Sequence, residues 1–117
     1  MMVRNIYQQP AETLTALHQG EGQCQQQVIF RAEDFAGSWD FVIRLVMPPQ
    51  SSIGEHRHDD NKELYLILSG QGCVVVNGEQ RDVFAGDVVV NPPFGSHGLV
   101  NDSDEPLELL VLQASVG

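Results

Sequence analysis

His56 and His58 flank Arg57, Glu63 follows five positions later, and His97 completes a group that takes three of the chain's four histidines. Side chains alternate faces along a strand, so His56 and His58 at i and i+2 project from the same side and one cation can bridge them. Imidazole nitrogen together with carboxylate oxygen suits a divalent transition metal, and four protein donors leave positions open on an ion that takes six ligands. Such a centre polarises a bound oxygen or binds O2. No Gly-rich phosphate loop and no nucleophile elbow accompanies the group, so covalent nucleophilic catalysis has no support. Asp59, Asp60 and Asn61 lack calcium-loop spacing and read as a solvated loop.

The elements that must hold these residues are short apolar runs separated by Gly, Pro, Asn and Asp, the pattern of an all-β sandwich or barrel. Trp39, Phe41, Ile43, Leu45 and Met47 share one face of a strand, with Asp40, Val42, Arg44 and Val46 on the other, and Pro48-Pro49 ends it. Leu64, Leu66 and Leu68 alternate with Tyr65, Ile67 and Ser69, and a strand from Cys73 to Val76 follows the Gly70-Gln71-Gly72 turn. Asn77-Gly78 predicts a type I′ hairpin returning through Arg81 to Phe84. Val88 to Val90 and Leu107 to Leu112 are the remaining strands. Only Ala11 to His18 reads as helix, with Leu14 and Leu17 three apart.

Length and charge bound the partners. The 117 residues suit one domain. A net charge of −10 with only six Lys and Arg excludes a general affinity for nucleic acid or for acidic membrane surfaces. The first nine residues contain no apolar signal-peptide core, and a cytoplasmic protein is expected. Cys24 and Cys73 fit neither a CxxC nor a zinc-finger spacing; they are expected to pack, Cys73 as a buried thiol.

In these residues the chain resembles the cupin superfamily, small jelly-roll barrels also described as double-stranded β-helices. The first cupin motif, G(X)5HXH(X)3–4E(X)6G, is matched at His56, His58, Glu63 and Gly70; its leading glycine position holds Gln50, so other residues are expected to make that turn. The second, G(X)5PXG(X)2H(X)3N, is matched at Gly86, Pro92, His97 and Asn101, with its inner glycine displaced to Gly95. The resemblance covers roughly residues 38 to 115. It implies a cupin barrel at 38–117 and a short N-terminal extension at 1–37 that packs on the barrel or on a second subunit in a homodimer.

The resemblance further implies that His56, His58, Glu63 and His97 are metal ligands, for one divalent transition metal ion such as Fe, Mn, Zn, Ni or Cu. By alternation from Glu63, Tyr65 and Ile67 face inward, and from His97, Leu99 and Asn101 do so. Tyr65 is then the candidate for substrate hydrogen bonding and for catalytic proton transfer. Arg44, among apolar strand neighbours, is a second substrate-binding candidate, as an anchor for a carboxylate. Asn101 reads as a turn former, and His18 as a surface residue. The function expected is that of a metal-dependent enzyme acting on a small polar or carboxylated molecule, by dioxygenase or by isomerase, lyase or decarboxylase chemistry. The rival is a non-catalytic module that binds a small molecule or sugar.

Overall fold

The structure is a computed structural model and describes residues 1–115; the last two positions of the expected barrel unit lie outside these. Among the described residues there are ten strands: β1 (Ala11–Thr15), β2 (Gln23–Arg31), β3 (Trp39–Met47), β4 (Ser52–Arg57), β5 (Asn61–Ser69), β6 (Gln71–Val76), β7 (Glu79–Phe84), β8 (Val88–Asn91), β9 (Ser96–Val100) and β10 (Leu107–Ser115). They form a six-stranded sheet in the order β1-β2-β3-β10-β5-β8 and a four-stranded sheet in the order β4-β9-β6-β7. Neighbouring strands pair antiparallel, and the two sheets close into the jelly-roll barrel that the alternating strands and their turns predict. Among the described residues no helix is long and apolar enough to cross a membrane.

Alternation places the core as expected. Leu45 and Met47 of β3, Tyr65 and Ile67 of β5, Leu99 of β9 and Leu107 and Leu109 of β10 are buried between the sheets, and Phe41 and Ile43 pack against them. Removing one such leucine costs about 2–5 kcal/mol, so these side chains hold the walls on which the polar residues sit. Asn77 and Gly78 both have positive φ, 49° and 83°, and join β6 to β7 with Val76 opposite Glu79, the type I′ hairpin that the dipeptide predicts. Asn101 is fully buried; its amide donates to Met47 O and Glu105 O and its Oδ1 accepts from Ser103, so it does fasten the turn after β9.

The N-terminal segment departs from expectation. Ala11 to Thr15 is not helical but an edge strand, paired with β2 from Ala11 opposite Gln27 to Thr15 opposite Gln23. Eight residues hold a helix poorly alone, whereas Thr13 and Thr15 are β-branched and the neighbouring strand offers a full ladder. A 3₁₀ turn, Leu17–Gln19, then leads into β2. Cys24, not Cys73, is the buried thiol; Cys73 is half-buried because its neighbour Val74 takes the inward position.

The two glycines missing from the motifs are replaced by residues that keep a glycine's backbone. Gln50 has φ 68° and Phe94 has φ 61°, both in the left-handed region. The turn before β4 is thus made by Gln50 itself, with its N–H donating to Asn101 O at 2.8 Å.

Candidate metal centre

His56 faces His97 because of an irregularity in the ladder. Ile53 is opposite Leu99 and His56 is opposite His97, so β4 spends three steps where β9 spends two. Such a bulge adds one residue and re-aims the side chains beyond it. Strict alternation from buried Ile53 would turn His56 outward; the bulge at Gly54 and Glu55 turns it inward, and His58 follows two residues later. On the other sheet, alternation along β5 presents Glu63 and Tyr65 to the same interior.

The side-chain nitrogens of His56, His58 and His97 lie within 4.8 Å of one another. Glu63 Oε1 is 3.2 Å from His97 Nε2 and 3.9 Å from His58 Nε2, which brings all four expected ligands together. The second nitrogens of His56 and His58 have partners of their own. A carbonyl oxygen only accepts, so His56 donates its Nδ1–H to Gly54 O at 2.8 Å, and His58 donates its Nδ1–H to Asn61 Oδ1. A neutral imidazole has one N–H, so His56, whose N–H is on Nδ1, presents its Nε2 lone pair, and His58 Nε2 faces it at 3.0 Å. Burial, reinforced by the adjacent histidines and opposed by the Gly54 hydrogen bond, pushes His56 down to about 4 and keeps it neutral. Ring nitrogens this close are held together by a cation or by a shared proton. The donor set therefore fits a divalent transition metal, whose bonds to imidazole are about 2.0–2.1 Å long.

Beside the four donors lies a pocket of about 160 Å³ whose walls include Phe41, Ile43, Leu45 and Val111. Its polar lining is His18, Gln26, His56, Glu63 and Tyr65. Drug-sized sites run from roughly 300 to 1,000 Å³, so this one suits a small molecule. A larger cavity of about 320 Å³, between β6, β7 and β8, contains none of the histidines and is not part of the site. Tyr65 is buried edge-on against His97, ring centroids 5.5 Å apart. Burial and then the charge of Glu63 push its hydroxyl well above the ordinary range, so it is a hydrogen-bond donor and not a phenolate.

Arg44 does not join this group. It belongs to the outward face of β3, where it pairs with Glu108 at 2.7 Å, donates to Gln27 Oε1 and lies over the Tyr7 ring. Its apolar strand neighbours reflect a covered outer face and not an interior position. His18 is exposed, as expected, and it also borders the pocket: its ring is stacked on His56, centroids 3.5 Å apart and planes 9° apart. Burial lowers its pKa as well. Asn61, which orients His58, and Asn91, the buried register partner of Glu63, also border the site. Spacing alone singles out none of these three, although an Asn three residues after a ligating His is within reach of its ring.

The chain is similar to known proteins over most of its length. The cupin domain family matches residues 43–113. The chain is 30% identical to the oxalate-binding protein of Thermotoga maritima, over 96% of this chain and 92% of that one. It superposes on the crystal structure of a predicted oxalate decarboxylase from Thermotoga maritima with a TM-score of 0.95 at 28% identity, covering 98% of this chain and all of the other. A gentisate 1,2 dioxygenase from Aquipseudomonas alcaligenes is 34% identical over 65 residues, only 18% of that protein's length.

Proposed function

Since this chain belongs to the cupin family, we propose that it holds one divalent transition-metal ion at His56, His58, Glu63 and His97 and binds a small carboxylate, of the oxalate class, in the pocket beside it. The observation that carries this reading is the convergence of the His56, His58 and His97 nitrogens within 4.8 Å, with His56 Nε2 and His58 Nε2 facing each other at 3.0 Å and both of their Nδ1 atoms engaged with carbonyl oxygens. When bound, the ion supplies a Lewis-acidic centre for carboxylate oxygens.

A carboxylate needs that centre here. Arg44 is engaged outside the barrel, and neither Lys nor Arg is among the residues lining the pocket. The chain's own charge of −10 repels an anion. What the side chains add is orientation: Tyr65 donates a hydrogen bond from a dry wall, Gln26 offers an amide, and Phe41, Ile43 and Val111 exclude water. The small volume and the full-length similarity to an oxalate-binding protein both favour a two- or three-carbon acid. Titrating Mn(II)-loaded protein with oxalate and with succinate by calorimetry tests the reading. Oxalate should bind and the longer acid should bind weakly or not at all; equal binding of both, or of neither, contradicts it.

Tyr65 favours a second reading, turnover, because its hydroxyl lines the ligand pocket and can hydrogen-bond a reacting oxygen as charge develops on it. Release of CO2 from oxalate under anaerobic and aerobic conditions separates lyase from oxygenase chemistry, and binding without turnover assigns a binding module.

We place the homodimer on the outer face of the six-stranded sheet. Val88 and Val90 are 58% and 63% exposed there, beside the half-buried Leu64 and Leu66, a contiguous apolar strip of the kind that marks subunit contacts. Light scattering should give twice the chain mass, and Val90→Lys should give the monomer.

A further inference from the structure

We propose that His18 is a ligand-binding residue of this pocket, hydrogen-bonding through its imidazole to an oxygen of the carboxylate that the metal does not hold. The inference rests on the function proposed above and deepens it by naming the residue that reads the far end of the ligand.

The first support is the effort the backbone makes to bring His18 there. Ala16, His18 and Gln19 have φ of 52°, 49° and 65°, three non-glycine residues in a region that L-residues avoid. Strain of this kind persists where surrounding structure enforces it and gathers at functional sites. The enforcing contacts are visible. A Cβ on Gly54 would lie 2.0 Å from His18 O, and one on Gly20 would lie 2.3 Å from Ser52 O, so the turn rests directly on the backbone of β4. Ser52 N donates to Glu21 O and Glu21 N donates to Ser52 Oγ, each at 2.8 Å, which pins the exit of the turn.

The second support is where the ring points its chemistry. His18 lies flat on His56 and lines the same pocket as Gln26, Glu63 and Tyr65. It is not one of the three histidines whose nitrogens converge within 4.8 Å. The hydrogen bonds of the imidazole cluster are made by His56, His58 and His97, which leaves the nitrogens of His18 for a bound molecule. A residue at the pocket wall, outside the converging donor set, contacts the ligand and not the ion.

The test compares wild type, His18→Ala and His18→Gln, each loaded with Mn(II), for bound metal by elemental analysis and for oxalate affinity by calorimetry. A hydrogen bond to a charged group is worth roughly tenfold to a hundredfold in Kd. The expected result is unchanged metal content in all three, oxalate binding weakened about tenfold or more in His18→Ala, and partial recovery in His18→Gln, whose amide also donates. Metal lost from His18→Ala makes His18 an ion ligand and overturns the inference, as does an unchanged oxalate Kd. Wild type that binds no Mn(II) refutes the metal centre, and wild type that binds Mn(II) but no oxalate refutes the carboxylate ligand; either result removes the role assigned to His18. Melting curves of the metal-free variants identify loss of fold, and in that case His18→Gln alone decides.

Discussion

His56 and His97 are register partners across β4 and β9, one step beyond a bulge that adds a residue between Ile53 and His56. That extra residue converts an outward histidine into an inward one, and it brings His58 with it. On a regular ladder the same sequence would split the donor set between the two faces of the sheet. Gly98, between the paired positions, lets β9 approach closely: a Cβ there would lie 3.1 Å from Glu55 Cα and from Ile53 O.

Gly54 carries the N-terminal turn, and Gly54→Ala should therefore be severe. The new methyl would meet the His18 carbonyl, a backbone atom that cannot swing aside. We expect a loss of about 1–3 kcal/mol by urea denaturation, the range for overpacked sites. Full wild-type stability would mean that the turn does not rest on β4.

Gln50 and Phe94 hold left-handed backbone where the two motifs have glycine. Gln50→Gly and Phe94→Gly should each raise stability by about 1 kcal/mol, since glycine removes a Cβ penalty of roughly 1–2 kcal/mol and returns part of it as unfolded-chain entropy. Both positions are exposed, so little packing is lost. The unfolding midpoint in urea measures the gain; a fall in both variants would contradict it.

Much of this architecture is legible in the sequence because it depends on period two. Trp39 to Met47 and Glu63 to Ile67 show their inward faces by alternation alone, and Asn77-Gly78 states its own turn. The gathering of His56, His58, Glu63 and His97 is legible through residue type and motif spacing. His18 is not, because its approach to His56 depends on a left-handed turn and on Gly54, thirty-six residues away in the chain. Arg44 misleads because outward apolar neighbours on a covered sheet look like an interior, and its partner Glu108 is sixty-four residues distant.

Burial lowers His56 to about 4 and lowers His18 in the same direction. Both bind protons more readily unfolded, so metal-free protein should be most stable above about pH 6.5, the ordinary histidine value. It should lose stability as pH falls from there toward 4, with that contribution gone once the folded His56 also protonates. Denaturation of chelator-treated protein across this window checks the sign. His56→Gln should flatten the slope between pH 6.5 and 4, and an unchanged slope would contradict the assignment.

Arg44 and Glu108 form a half-buried ion pair on the outer face. Arg44→Ala should cost about 1–3 kcal/mol by leaving Glu108 and Gln27 without their donor, while oxalate affinity of the Mn(II)-loaded protein stays within twofold of wild type. Lost oxalate binding with retained stability would move Arg44 into the ligand site.

In the proposed centre His56, His58, Glu63 and His97 together hold one ion. Elemental analysis of wild type and His58→Ala, loaded with Mn(II) and desalted, tests it most directly. Close to one metal ion per chain is expected in the wild type and a small fraction of that in the variant, with the variant still folded because the apolar strands close the barrel. Equal metal content in the two proteins would contradict it.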